Sequence, residues 1–63
     1  MEHTDVEYML PFDIVHIGLG HEYGGLRGFW ISGDENTSVI RFAHFGDVRI
    51  DNGYVYPYFV RNR

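Results

Sequence analysis

Residues 37–60 read TSVIRFAHFGDVRIDNGYVYPYFV, and the alternation of side chains along this stretch decides the fold class. Ile40 and Phe42 are two positions apart, so both side chains lie on the same face of an extended strand. Val48 and Ile50 repeat the pattern a few residues later. We therefore expect two strands whose apolar rows, formed by these four residues, face a common core.

Short β-branched and aromatic runs, separated by turn residues, continue this pattern in both directions. No window of 11 or more residues has apolar positions at helical spacing, and eight glycines interrupt every candidate helix. The sequence predicts strands at residues 6–10, 12–17, 29–32, 37–43, 47–50 and 54–60. Five or six strands in 63 residues cannot form two packed sheets of useful size, whereas a strongly bent small barrel covers most of its own edges. We predict an all-β fold, a small five-stranded, partly open barrel.

The strongest local turn signal is Asn52-Gly53, which lies between two alternating segments. Asn-Gly favours a type I′ turn, which predicts a C-terminal hairpin of residues 47–50 and 54–60. In the last strand, Val55, Pro57 and Phe59 form one row, and Tyr54, Tyr56 and Tyr58 form the other. We expect the first row to face the core and the tyrosines to face solvent.

Length and composition narrow the class of protein. The chain has 63 residues, 17% of them aromatic, and no cysteine. A chain of this length forms a single domain, residues 1–63, and large rings supply much of the buried area. Without disulfides it fits a reducing compartment, and it carries no apolar run of bilayer length and no secretory leader. We expect a cytoplasmic protein without a membrane segment.

The net charge of −4 is unevenly distributed. Residues 1–35 carry seven acidic residues and one arginine, whereas residues 36–63 carry two acidic residues and four arginines. The acidic half favours a partner with a basic surface, which would be attracted over long range. All five basic residues are arginine, the side chain suited to bidentate and stacked recognition.

The glycine-rich stretch carries a family resemblance. Val15-His16-Ile17, followed by Gly20, Gly25, Gly28 and Phe29, resembles the KOW motif of Src-homology-3-like barrels. Residues 53–60 look like the closing strand of such barrels. The spacing from Gly20 to Gly25 is one or two residues longer than in that family, and the loop lysines are absent. The resemblance implies binding of RNA, ribosomes or transcription complexes, and the wider barrel class binds peptides, nucleic acids or its own copies.

The tyrosine row is the candidate binding surface. Tyrosine, arginine and tryptophan dominate interface hot spots. Tyr54, Tyr56 and Tyr58 would lie side by side, with Arg49 across the predicted hairpin, and the surface would include Arg41 and Trp30. Two other interpretations remain open: the rings complete a second side of the core, or they stack on the bases of single-stranded nucleic acid.

Other chemistry has weaker support. The four histidines, His3, His16, His21 and His44, lack the spacing of metal-ligand pairs, so we predict neither a metal site nor a cofactor. No serine or cysteine nucleophile stands in a catalytic pattern, and Gly18-Leu19-Gly20 lacks the lysine or helix start of a phosphate-binding loop. We do not expect an enzyme.

We therefore predict a non-enzymatic module that regulates or inhibits a larger protein, and its small size suggests a phage or mobile element as its source. KOW-like binding of nucleic acid or ribonucleoprotein is the second hypothesis. A subunit that functions only as a homo-oligomer is the third.

Overall fold

The computed structural model describes residues 9–59, with the last of these described by its backbone alone. Five strands form one antiparallel sheet: β1 (Ile14–Ile17), β2 (Arg27–Gly33), β3 (Thr37–Phe42), β4 (Gly46–Asp51) and β5 (Val55–Phe59). Their spatial order is β4-β3-β2-β1-β5. The prediction of an all-β fold with five strands is confirmed. We expected a partly open barrel, and within residues 9–59 the sheet is not closed into a barrel: β4 and β5 are its edges.

Two of the sequence predictions fall wholly or partly outside the described residues. The strand predicted at residues 6–10 lies largely there, and Met9 and Leu10 are not in a strand. The predicted inward orientation of the Phe59 side chain also lies outside the described part. Residues 9–59 contain no apolar helix of membrane-spanning length.

The core follows the alternation of β3 and β4. Ile40, Phe42 and Ile50 are buried, as predicted, and Val48 is half-buried against them. The other members of the core come from the chain before β1 and from β1, β2 and β5: Met9, Val15, Ile17, Trp30 and Val55. Each strand thus contributes side chains to a single apolar layer on one face of the sheet, which leaves the opposite face for other contacts.

The turn between β3 and β4 lies where the sequence predicts a break between two strands. Residues 43–45 connect the strands, and Gly46 follows with φ +86°. A three-residue loop followed by a residue in the left-handed region is a standard hairpin connection, and glycine adopts that region without a steric penalty.

The predicted C-terminal hairpin is wrong. Residues 52–54 form a single 3₁₀ turn, and β5 pairs with β1 instead of β4. The Asp51 side chain accepts a hydrogen bond from the Gly53 amide (2.9 Å) and starts this turn. The Asn52 side chain accepts from the Ser38 hydroxyl and donates to the Asp34 carbonyl. These contacts with distant residues hold Asn52 in a conformation other than that of a hairpin turn.

The carboxylate of Asp34 holds the β2–β3 turn, and its titration should make the stability of the fold sensitive to acid. Asp34 Oδ1 accepts from the amides of Thr37 (2.9 Å) and Asn36 (2.8 Å), and these bonds lower the pKa of Asp34. A lowered folded-state pKa means that this stabilisation is present above the unfolded-state pKa of about 4 and is lost as the pH falls through the lower value. The wild type should therefore lose stability as the pH falls below about 4, and Asp34→Asn should lose less over the same range. Urea unfolding between pH 7 and pH 2 measures the free energy of unfolding of both proteins.

The matched control is Glu35→Gln, which changes a neighbouring exposed carboxylate that accepts no hydrogen bond within the described residues. It should leave the acid dependence close to that of the wild type. Equal acid profiles for the two variants would contradict the assigned role of Asp34.

Candidate functional site

The tyrosine row lies on the solvent side of β5 and the turn before it. Tyr54, Tyr56 and Tyr58 are 38%, 37% and 56% exposed, whereas Val55 between them is fully buried and Pro57 is half-buried. The predicted orientation of the last strand is confirmed for these residues. The rings therefore do not complete a second side of the core.

Two side chains from neighbouring strands join the tyrosines. His16 of β1 lies directly opposite Tyr56 of β5 and Arg27 of β2. Its imidazole stacks on the Tyr56 ring, with centroids 5.6 Å apart and planes 18° apart, and meets the edge of Tyr58 at 6.2 Å. The Arg27 Cζ lies 4.6 Å from the Tyr58 ring centroid, which is a cation–π distance. Tyr58 therefore contacts both an imidazole and a guanidinium group.

The β1–β2 loop supports the other end of the row. The His21 ring meets Tyr54 edge to face at 4.9 Å and stacks on Tyr23 at 5.6 Å. The Tyr23 amide donates a hydrogen bond to His21 Nδ1 (3.1 Å), which fixes the ring against the loop backbone. A Cβ at Gly18 would lie 3.1 Å from Tyr56 Cε2, which shows how closely the loop backbone approaches the rings.

Together these side chains make a continuous surface, which we call the aromatic face: His16, His21, Arg27, Tyr54, Tyr56 and Tyr58. Its electrostatic character depends on Arg27, which forms no ion pair within residues 9–59. The ion pair found in that part of the chain joins Arg41 to Asp47 instead. Within residues 9–59, the face therefore offers one guanidinium group that has no carboxylate partner and lies among aromatic rings.

The other residues predicted for the binding surface lie elsewhere. Trp30 is 9% exposed and belongs to the core, so the prediction that it extends the tyrosine surface is wrong. Its indole Nε1 donates to Ser38 Oγ (3.0 Å), which satisfies a buried polar group. Arg49 does not lie across a hairpin from the tyrosines: β4 is separated from β5 by three strands, and Arg49 donates to Thr37 Oγ1 (2.9 Å).

Arg41 is also engaged away from the tyrosines. Its Nε and Nη2 donate to the two carboxylate oxygens of Asp47 at 2.7 and 3.0 Å, on strands β3 and β4. This bidentate bond lowers the pKa of Asp47 and raises that of Arg41. Both side chains are about half exposed, so solvent screens the pair and it contributes little to stability.

Sequence reasoning missed His16, His21 and Arg27 as members of the surface. Alternation within residues 14–17 places His16 outside, but its contacts with Tyr56 and Arg27 depend on which strands pair. The pairing of β1 with β5 is a long-range feature without a local sequence signal.

An open cavity of about 300 Å³ lies beside the aromatic face, and Arg27 lines it. The other lining residues come from the end of the β1–β2 loop, the end of β3 and the β3–β4 turn: Leu26, Phe42, Ala43, His44 and Phe45. Phe42 and Phe45 form the apolar wall of the cavity, with ring centroids 5.7 Å apart. Tyr23 packs against these two rings, at 5.7 Å from Phe42 and 5.3 Å from Phe45. The cavity can take one apolar side chain of a partner.

Metal-ligating residues are not assembled in the part of the chain that the structure describes. No three histidine, aspartate or glutamate side chains there lie close enough together to hold a metal ion.

Comparison with known proteins finds no relative: neither a family model, a curated protein nor a solved structure matches the chain. The functional argument therefore rests on the geometry of the aromatic face.

Proposed function

We propose that this chain is a non-enzymatic protein-binding module whose aromatic face docks on a larger protein. The observation that carries the proposal is the exposed tyrosine row with Arg27 stacked on Tyr58 and no carboxylate paired with Arg27 among the described residues. Tyrosine and arginine are the residues that most often contribute large binding free energies at interfaces.

The mutual contacts of the rings favour tight docking. His16 lies against both Tyr56 and Tyr58, and His21 lies against Tyr54, so the rings are partly ordered before a partner arrives. Immobilising a flexible side chain on binding costs about 0.5–1.5 kcal/mol, and pre-ordered rings avoid part of that cost. The aromatic face is thus a preorganised surface.

The charges of this chain suggest the chemistry of the partner, both during its approach and at contact. The net charge of −4 favours approach to a basic surface over a distance of about a Debye length. At contact, Arg27 requires an acidic group, because desolvating an unpaired guanidinium group is costly. The partner we propose has a basic surface that contains one carboxylate, which pairs with Arg27. Next to this carboxylate, an apolar side chain of the partner enters the cavity.

The double variant Tyr56→Thr/Tyr58→Thr tests this proposal. Threonine keeps β-propensity while removing both rings, so the strand should persist. Losing two central aromatic contacts should weaken binding at least tenfold, since each hot-spot side chain contributes more than about 1 kcal/mol. A photo-crosslinking amino acid at position 58 would identify the partner in a lysate of the native cells. Calorimetry with the purified partner would then measure the loss.

The matched control is Arg49→Thr, also at an exposed strand position, but with three strands between it and β5. It should bind like the wild type. If the tyrosine double variant retained the affinity of the wild type while Arg49→Thr lost it, the docking surface would be on β4 and the proposal would be wrong.

A KOW-like nucleic-acid module is the second candidate function. The glycine motif and the pairing of the last strand with the first support a Src-homology-3-like fold, and stacked rings beside Arg27 suit unpaired bases. The net negative charge opposes it, because backbone binding relies on clustered lysine and arginine. A labelled single-stranded RNA or DNA that bound at low salt and dissociated as salt rose would favour this function over protein docking.

A further inference from the structure

Strand β4 is an edge of the sheet that residues 9–59 form. It pairs with β3 on one side, and no strand of the described residues pairs with its other side. The backbone N–H and C=O groups that point outward from such an edge can pair with another strand. The opposite edge, β5, contains Pro57, which lacks a donor and interrupts such pairing. The β4 edge has no proline.

The side chains of β4 alternate in both polarity and charge. Asp47, Arg49 and Asp51 are exposed on the outer face, whereas Val48 is half-buried and Ile50 is buried on the inner face. Charged residues on an edge strand discourage unspecific pairing. They permit pairing with a strand whose charges are complementary.

A second copy of β4 provides those charges in one register. If two copies run antiparallel with Val48 opposite Val48, Asp47 of each lies opposite Arg49 of the other. Residues 46–50 then form five opposed pairs, and the inner faces of both sheets stay on the same side. Opposite charges across an antiparallel pair stabilise it, and like charges destabilise it.

The other antiparallel registers of two β4 strands pair like charges or pair fewer residues. Centring the pair on Arg49 places arginine opposite arginine and Asp47 opposite Asp51. Centring it on Ile50 leaves three pairs within the strand, because the 3₁₀ turn begins at Asn52. A shift by one residue would place inward side chains against outward ones. The charge pattern thus selects the register centred on Val48.

We propose that two copies of this chain associate through β4, forming a continuous ten-stranded antiparallel sheet with two-fold symmetry. Arg41 already holds Asp47 through a bidentate bond, which fixes the carboxylate on the outer face where Arg49 of the second copy would meet it. Pairing along one strand buries less than the roughly 1,200 Å² of a standard stable interface, so the dimer is weak and dependent on concentration.

Sedimentation equilibrium of the full chain between 10 µM and 1 mM tests the proposal. The apparent mass should rise from 7.4 kDa towards twice that value. Asp47→Arg alone places arginine opposite arginine, and Arg49→Asp alone places aspartate opposite aspartate, so each should remain monomeric. An equimolar mixture of the two restores opposite charges at both positions and should form a heterodimer.

Glu35→Arg is the matched control, since it makes the same charge change as Asp47→Arg at an exposed turn position outside β4. It should dimerise like the wild type, as should the Tyr56→Thr/Tyr58→Thr variant. Circular dichroism checks that every variant is folded. A monomeric wild type at 1 mM would overturn the proposal, as would dimerisation that the β4 variants leave unchanged or a mixture that stays monomeric.

Discussion

Gly28→Ala is expected to lower the free energy of unfolding by about 2–3 kcal/mol, the cost of forcing extra volume into a packed core. Gly28 is buried in β2, opposite Val15 of β1. A Cβ there would lie 2.7 Å from Ile40 Cγ2 and 2.9 Å from the carbonyl oxygen of Arg41. The side chain of Ile40 is itself fully buried, and the Arg41 oxygen belongs to the backbone of β3. Neither neighbour can move without disturbing the sheet.

Two other glycines separate this packing effect from the general cost of replacing glycine. At Gly20, a Cβ would meet Tyr54 Cε1 at 3.5 Å, an ordinary contact, so Gly20→Ala should be close to neutral. Gly46 has φ +86° and open space around it, so Gly46→Ala should cost about 1 kcal/mol from backbone strain alone. Urea unfolding measures all three. If Gly28→Ala cost no more than Gly46→Ala, the close approach of β2 to β3 would be wrong.

The features that could be predicted from sequence are those that depend on neighbouring residues. The period of two in β3 and β4 identified Ile40, Phe42 and Ile50 as core because alternation is a property of the strand itself. The same reasoning placed the tyrosines of β5 outside. The all-β class follows from the same local patterns, without any knowledge of which strand pairs with which.

The features that sequence reasoning missed depend on contacts between distant residues. Asn52-Gly53 has the composition of a hairpin turn, yet the Asn52 side chain is bonded to Ser38 and to the Asp34 carbonyl, more than a dozen residues earlier. The burial of Trp30 depends on an acceptor for its indole N–H, which Ser38 of the adjacent strand supplies. The imidazole and guanidinium of the aromatic face required the β1–β5 pairing.

Ser38→Ala should therefore destabilise the fold by about 2–3 kcal/mol, more than an average surface substitution. Ser38 is fully buried, accepts from the Trp30 indole and donates to Asn52. Removing the hydroxyl leaves a buried indole donor unsatisfied, and it takes one of the partners of Asn52 away. A domain of this length has a total stability of about 3–9 kcal/mol, so the loss would be a large fraction of it.

The matched control for this prediction is Ser32→Ala, an exposed serine of β2 whose side chain makes no hydrogen bond within the described residues. Its effect should stay within about 0.5 kcal/mol. Urea unfolding followed by Trp30 fluorescence reports both stability and the environment of the indole. Because Asn52 belongs to the 3₁₀ turn that carries Tyr54, Ser38→Ala should also loosen the contact between Tyr54 and His21, seen as changed ring shifts by NMR. Equal stabilities for the two serine variants would mean that the indole does not depend on Ser38, and the link from the core to the aromatic face would be lost.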